Sequence, residues 1–166
     1  MTTFRPMRRS RQLLSENETI AILERGTHGV LAVLGDEGYP YTVPLSYLYA
    51  DGKLYFHGAN VGHKLDALAA CGKASFCVVD QDQVIPEEYT TYFRSAVCFG
   101  QARLVEDKEE ALRIVALIAA HYRPGFEVER ARAIANESKT LGVIEFTIEH
   151  MTGKEAIELV RARKND

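Results

Sequence analysis

Between His28 and His57 the sequence carries three β-type segments separated by two tight, glycine-bearing turns, which commits this part of the chain to antiparallel pairing. Gly29–Leu34 is apolar and partly β-branched, Gly35-Asp36-Glu37-Gly38 reads as a turn, and Tyr39–Tyr49 is the partner strand. Ala50-Asp51-Gly52 turns again into Lys53–His57 and completes a meander. Pro44 has no N–H to give to a regular ladder, so a bulge or bend is expected in the middle strand. Ala74–Val79, Tyr92–Leu104 and Val143–His150 also have strand character, with a polar loop containing Pro86 between the first two. The expectation is a mainly β fold with peripheral helices, a six-stranded antiparallel barrel rather than a doubly wound sheet.

Helical signals lie at the periphery. Ser15-Glu16-Asn17-Glu18 has the form of a capping box; the helix it opens turns Ile20, Ala21 and Leu23 inward and ends at Gly26, expected as a left-handed cap. Lys64–Ala70 reads as a short helix with Leu65 and Leu68 on one face. In Asp107–His121, Ala111, Ile114, Val115 and Ile118 follow the i, i+3, i+4, i+7 spacing of a buried helix face. A further helix follows His121-Tyr122-Arg123-Pro124-Gly125.

A length of 166 residues with 46% hydrophobic and 26% charged residues predicts one globular domain, residues 1–166. A basic arm, 1–12, carries Arg5, Arg8, Arg9 and Arg11; a charged amphipathic tail runs over 154–166. The net charge of −3 gives no global field for nucleic acid or anionic membrane. Apolar runs such as Ile114–Ala120 are too short for a bilayer, and no secretory leader pattern is visible, so a cytoplasmic protein is expected. The three cysteines form no CxxC, His57 and His63 are six apart, and His28 and His121 are isolated, so no metal site is expected. Triphosphate-binding and Rossmann glycine loops are absent, as are HExxH and Gly-x-Ser-x-Gly.

The segment Tyr55-Phe56-His57-Gly58-Ala59-Asn60-Val61-Gly62-His63-Lys64 carries the chemistry. A strand ends, a glycine loop follows, and His63 and Lys64 open a helix. Cations at a helix N-terminus oppose the macrodipole by roughly 0.3–1 kcal/mol each. An anion at that end reverses the sign, because free N–H groups, dipole and side chains then converge on it. A solvated Lys and a surface His after a turn would have the same sequence. Strand alternation puts His57 on the face opposite Phe56, where its imidazole could meet a ligand or bond to a backbone carbonyl.

The ordered set of Gly29–Leu34, Tyr39-Pro40-Tyr41-Thr42-Val43-Pro44-Leu45-Ser46-Tyr47, Tyr55-Phe56-His57-Gly58-Ala59 and Gly62-His63-Lys64 resembles the FMN-binding split barrels. It is most similar to the pyridoxamine-phosphate-oxidase-like branch that includes the nitroimidazole-resistance (Nim) proteins. Phe93-Arg94-Ser95-Ala96-Val97-Cys98-Phe99-Gly100-Gln101-Ala102 resembles a further barrel strand of that branch. Lys139-Thr140, Ile148 and Gly153-Lys154 resemble its closing segment, and Met7-Arg8-Arg9 its start.

The resemblance implies a homodimer with FMN at the subunit interface. Thr42, Val43, Pro44, Leu45, Ser46 and Tyr47 would line the ring and ribityl chain beside His57 and Gly58. His63 and Lys64 would take the phosphate, and Arg94 and Ser95 would reach the flavin from the second subunit. It implies an oxidoreductase passing electrons from a nicotinamide donor to a small nitroaromatic or quinone-like acceptor, with His57 as the candidate catalytic residue. The alternatives are a flavin- or haem-binding storage or sensor protein, a deazaflavin user, and a cofactor-free scaffold. The chain lacks tryptophan and the basic C-terminal substrate motif of the vitamin oxidase, and has Thr42 and Tyr47 where that enzyme carries Arg and Lys.

Overall fold

The computed structural model describes residues 4–137 and 140–163. Lys139 and the outermost parts of the arm and tail lie outside the described residues. α1, Glu16–Arg25, starts at the expected capping box: the Ser15 N–H donates to Glu18 at 2.8 Å and the Glu18 N–H to the Ser15 hydroxyl at 3.3 Å. Its cap Gly26 is extended rather than left-handed (φ −69°, ψ 142°). Glycine is required there because a Cβ would run into the Tyr47 hydroxyl.

The strands are β1 His28–Leu34, β2 Pro40–Ser46, β3 Leu48–Ala50, β4 Lys53–Ala59, β5 Lys73–Ile85, β6 Thr90–Leu104 and β7 Leu141–Glu155. They form one antiparallel sheet of seven strands in the order β2-β1-β5-β6-β7-β4-β3. This corrects the expectation of six. The stretch expected as one strand, Tyr39–Tyr49, divides at Tyr47, because its halves pair with different neighbours: Pro44 with Val30 of β1, Leu48 with Tyr55 of β4. The bulge expected at Pro44 is absent and the register with β1 is unbroken. β2 is an edge strand, where a missing N–H leaves no neighbour unpaired.

The two edges, β2 and β3, are adjacent in the chain with only Tyr47 between them. Consecutive Cα atoms are about 3.8 Å apart, so the sheet curls until its edges converge at this corner, without a closing ladder. The barrel is split. The Tyr47 side chain is fully buried and donates its hydroxyl to the Leu23 carbonyl at 2.8 Å. Burial holds its phenol well above the ordinary value. The Tyr122 hydroxyl lies 2.7 Å from the carbonyls of both Thr27 and Tyr47 and so pins the corner from outside.

Inside the barrel Leu31, Val33, Leu54, Phe56, Phe76 and Phe146 form the core, closed by Ile22 and Leu23 of α1 and by Leu65 and Leu68 of α2, His63–Ala70. A second cluster lies outside the sheet. Ile114, Val115 and Ile118 of α3, Lys108–Tyr122, cover Leu48 and Val143. α4, Glu127–Glu137, follows, and α5, Ile157–Ala162, closes the described chain.

Two segments are more regular than expected. The polar loop around Pro86 is a two-stranded ribbon, with Gln81–Ile85 paired to Thr90–Arg94 beyond a bulge at Asp80. It turns at Pro86–Glu88, with Tyr89 in the left-handed region (φ 51°). The tail is strand through Glu155, because Lys154 pairs with Ser95 on one side and bridges Leu13 on the other.

Glu145 on β7 is buried between Lys53 and Arg103, each at 3.0 Å. Burial alone would raise its carboxyl; the hydrogen bonds and charges of these two cations outweigh that and hold it below the usual carboxylate value. A carboxylate depressed in the folded state stabilises fully above its unfolded pKa, and that contribution is lost as pH falls through the folded value. Glu145→Gln is therefore expected to lower stability at pH 7 by about 1–2 kcal/mol, limited by water around both cations, and to flatten the acid limb of the Tm–pH curve. Parallel acid limbs in the two proteins would contradict this.

Candidate functional site

The loop from β4 to α2 places its cations as the local physics requires. α2 begins at Gly62 (φ 128°, ψ 168°), a conformation open to glycine, and no side chain caps it. The Leu65 and Asp66 N–H groups donate to the Gly62 carbonyl at 2.8 and 3.3 Å, which leaves the N–H groups of His63 and Lys64 at the open end. Lys64 folds back over Gly58: its Nζ lies 3.8 Å from where a Cβ on residue 58 would stand. His63 stacks on Tyr41 with ring centroids 4.1 Å apart. Its Nε2 is shielded from solvent and has no hydrogen-bond partner, the Asp36 carboxylate being 3.6 Å away and itself exposed. An uncapped helix end, an ammonium over a glycine and an orphaned ring nitrogen together form a site suited to a phosphate dianion.

Strand alternation sorts the β2 candidates. Thr42, Pro44 and Ser46 face outward, whereas Val43 and Leu45 pack against the barrel core and Tyr47 lies within it. Val43 and Leu45 thus offer only main chain to a ligand on the outer face, and the Tyr47 main chain is already bonded to the Tyr122 hydroxyl.

His57 lies opposite buried Phe56, as alternation requires, and opens into a cavity of about 430 Å³. Ser46 shares this cavity with Val115, Ile118, Ala119 and Tyr122 of α3 and with Arg123. The α3 wall was not anticipated as part of a site. The inward stripe of α3 was legible in the sequence, but which strands it covers depends on pairings distant in the chain. His57 and Ser46 supply hydrogen-bonding groups in an otherwise largely apolar wall, a composition usual for small-molecule pockets.

Arg94 and Ser95 are on β6, separated from β2 in the sheet by β1 and β5. Arg94 donates to the buried Glu155 at 3.2 Å and lies 3.9 Å from Asp80, which also takes Arg25. Ser95 lies on the outer sheet face opposite Val79. The structure therefore brings Lys64 over Gly58, His63 onto Tyr41 and His57 beside Ser46. It leaves Arg94 on the opposite face against Glu155, and Ser95 elsewhere on the outer face. That face also exposes Val30 (40%), Val79 (61%) and Phe99 (40%).

Among the described residues no group of three metal-ligating side chains occurs, and no helix is long and apolar enough to cross a membrane. No curated protein matches the sequence. Among solved structures, a candidate 5-nitroimidazole antibiotic resistance protein from Bacteroides thetaiotaomicron superposes with a TM-score of 0.71 at 22% identity over 86% of each chain. The flavocytochrome Anf3 from Azotobacter vinelandii gives 0.77 at 21% identity over 92% of this chain and 72% of its own. An FAD-binding protein from Mesorhizobium loti gives 0.63 at 24% identity over 87% and 97%. At these identities the likeness establishes the fold. The family signature described as pyridoxamine 5'-phosphate oxidase matches residues 15–155, a span that contains all seven strands, and the protein belongs to that family.

Proposed function

We propose that this protein is a homodimeric, FMN-binding oxidoreductase that reduces a small aromatic acceptor. The observation that carries the reading is the uncapped start of α2, where Lys64 lies over Gly58 and the adjacent His63 has a shielded Nε2 without a hydrogen-bond partner. Flavin, when bound, supplies the hydride and electron chemistry. The chain's own residues do the rest. Lys64, His63 and the first N–H groups of α2 hold the phosphate. The Thr42 and Ser46 hydroxyls and the β2 main chain border the ring edge, and Gly58 leaves room for close approach. His57 and Ser46 orient the acceptor in the α3 cavity, whose apolar wall of Val115 and Ile118 excludes water. Arg94 and Ser95 complete the site from the second copy, with Val30, Val79 and Phe99 in the contact.

The absorption spectrum of the purified protein tests the reading: flavin bands are expected. The apolar cavity beside the His57 imidazole supports a second reading, a haem-binding protein without turnover, which a Soret band would favour. Neither chromophore, with no uptake of added FMN, would exclude both. Sedimentation is expected to show a dimer at micromolar concentration, and an FMN-loaded monomer would rule out the shared site. His57→Ala is expected to keep the dimer and most FMN while slowing acceptor reduction about tenfold, the loss of one transition-state hydrogen bond. An unchanged rate and flavin potential would return His57 to a purely structural role.

A further inference from the structure

The N-terminal arm holds a charge concentration that the proposed flavin site does not use. Residues 1–15 contain Arg5, Arg8, Arg9 and Arg11 and no carboxylate, in a chain whose net charge is −3. Four guanidinium groups within seven residues repel one another. None of the four forms an ion pair among the described residues, whereas Arg25, Arg94, Arg103 and Arg163 all have carboxylate partners.

From Phe4 onward the arm is nevertheless fixed in place. The Gln12 side chain is buried and donates to the Glu155 carbonyl at 2.9 Å, the Leu14 N–H donates to the Gly153 carbonyl at 3.0 Å, and Phe4 stacks on His150 with centroids 4.6 Å apart. Between these anchors Arg8, Arg9, Ser10 and Arg11 border a groove of about 330 Å³ that Ile157 closes on its apolar side. Three planar forks and a hydroxyl around one concavity match the oxygens of a diphosphate, which a lone ammonium cannot engage in pairs. The groove exceeds what a bare phosphate fills, and Ile157 offers a surface to the organic part of a ligand.

We infer that this arm is a second anion site, separate from the loop at His63 and Lys64, and that it takes the diphosphate of a small nucleotide. It stands independently of the flavin reading, since no part of its geometry involves β2 or α2.

Titration calorimetry with ADP, inorganic pyrophosphate and adenosine tests it. The proteins are wild type, Lys64→Ala, and a triple variant Arg8→Ala, Arg9→Ala, Arg11→Ala made in both backgrounds. The arginine side chains are exposed, so the triple variant is expected to keep its fold, checked by circular dichroism. ADP should bind wild type and Lys64→Ala and weaken at least tenfold in the triple variant of either background; adenosine should not bind. Arg8→Lys should give intermediate affinity through loss of the paired contact.

Equal ADP affinity in the triple variant, or loss of ADP binding on Lys64→Ala alone, would overturn the site. Pyrophosphate binding as tightly as ADP would overturn the nucleotide assignment. A steeply salt-dependent affinity for a single-stranded 20-mer without binding of ADP would identify a polymer surface instead and reject the proposal.

Discussion

Replacing Lys64 by alanine is expected to weaken FMN ten- to a hundredfold while leaving riboflavin nearly unchanged. Among the described residues Lys64 has no carboxylate partner, and its ammonium stands over Gly58 at the uncapped start of α2. A charge-assisted hydrogen bond to phosphate contributes roughly 1.5–3 kcal/mol, and each 1.4 kcal/mol is about tenfold in affinity. Riboflavin lacks the phosphate and so has nothing to lose. Lys64→Arg should recover part of the loss, since charge is kept while the reach over Gly58 changes. Fluorescence titration with both ligands measures the difference. Equal weakening of the two would mean that Lys64 does not contact phosphate.

The largest effect on stability is expected at Phe76. Its side chain is 1% exposed on β5 at the centre of the barrel, with ring centroids 5.0 Å from both Tyr47 and Phe56. β1 yields space to it: a Cβ at Gly29 would stand 2.5 Å from the ring. Phe→Ala at such a site removes buried apolar surface and leaves a void that the curled sheet cannot collapse into, typically about 3–5 kcal/mol. Urea unfolding of Phe76→Ala should show a midpoint lowered accordingly with an unchanged slope. A loss below about 1 kcal/mol would show that the neighbouring strands close over the gap.

What could be read from the sequence was local. The Ser15–Glu18 box, the buried stripe of α3 and the cations opening α2 each occupy a few adjacent residues, and the structure holds them as the local physics requires. The division at Tyr47 was hidden because it depends on β2 and β3 choosing partners on opposite sides of the sheet. The ribbon over Gln81–Ile85 gave no alternating signal, since that segment carries no buried face to write one. Arg94 could be matched to a family strand, but its partners Asp80 and Glu155 are fourteen and sixty-one residues distant, beyond any pattern of spacing. The α3 side of the His57 cavity was missed for the same reason.

The placement of β7 also bears on how the chain is made. In the order β2-β1-β5-β6-β7-β4-β3, β7 alone hydrogen-bonds the β2-β1-β5-β6 block to the β4-β3 pair. During synthesis the hairpins β1–β2, β3–β4 and β5–β6 can each zip as they leave the ribosome, since their contacts are near in sequence. The sheet itself cannot assemble until residues 141–155 emerge, so the apolar edges of both blocks wait exposed through the helical segment that precedes them. A chain stopped before Leu141 is two unjoined half-sheets, whatever its first hundred and forty residues contain.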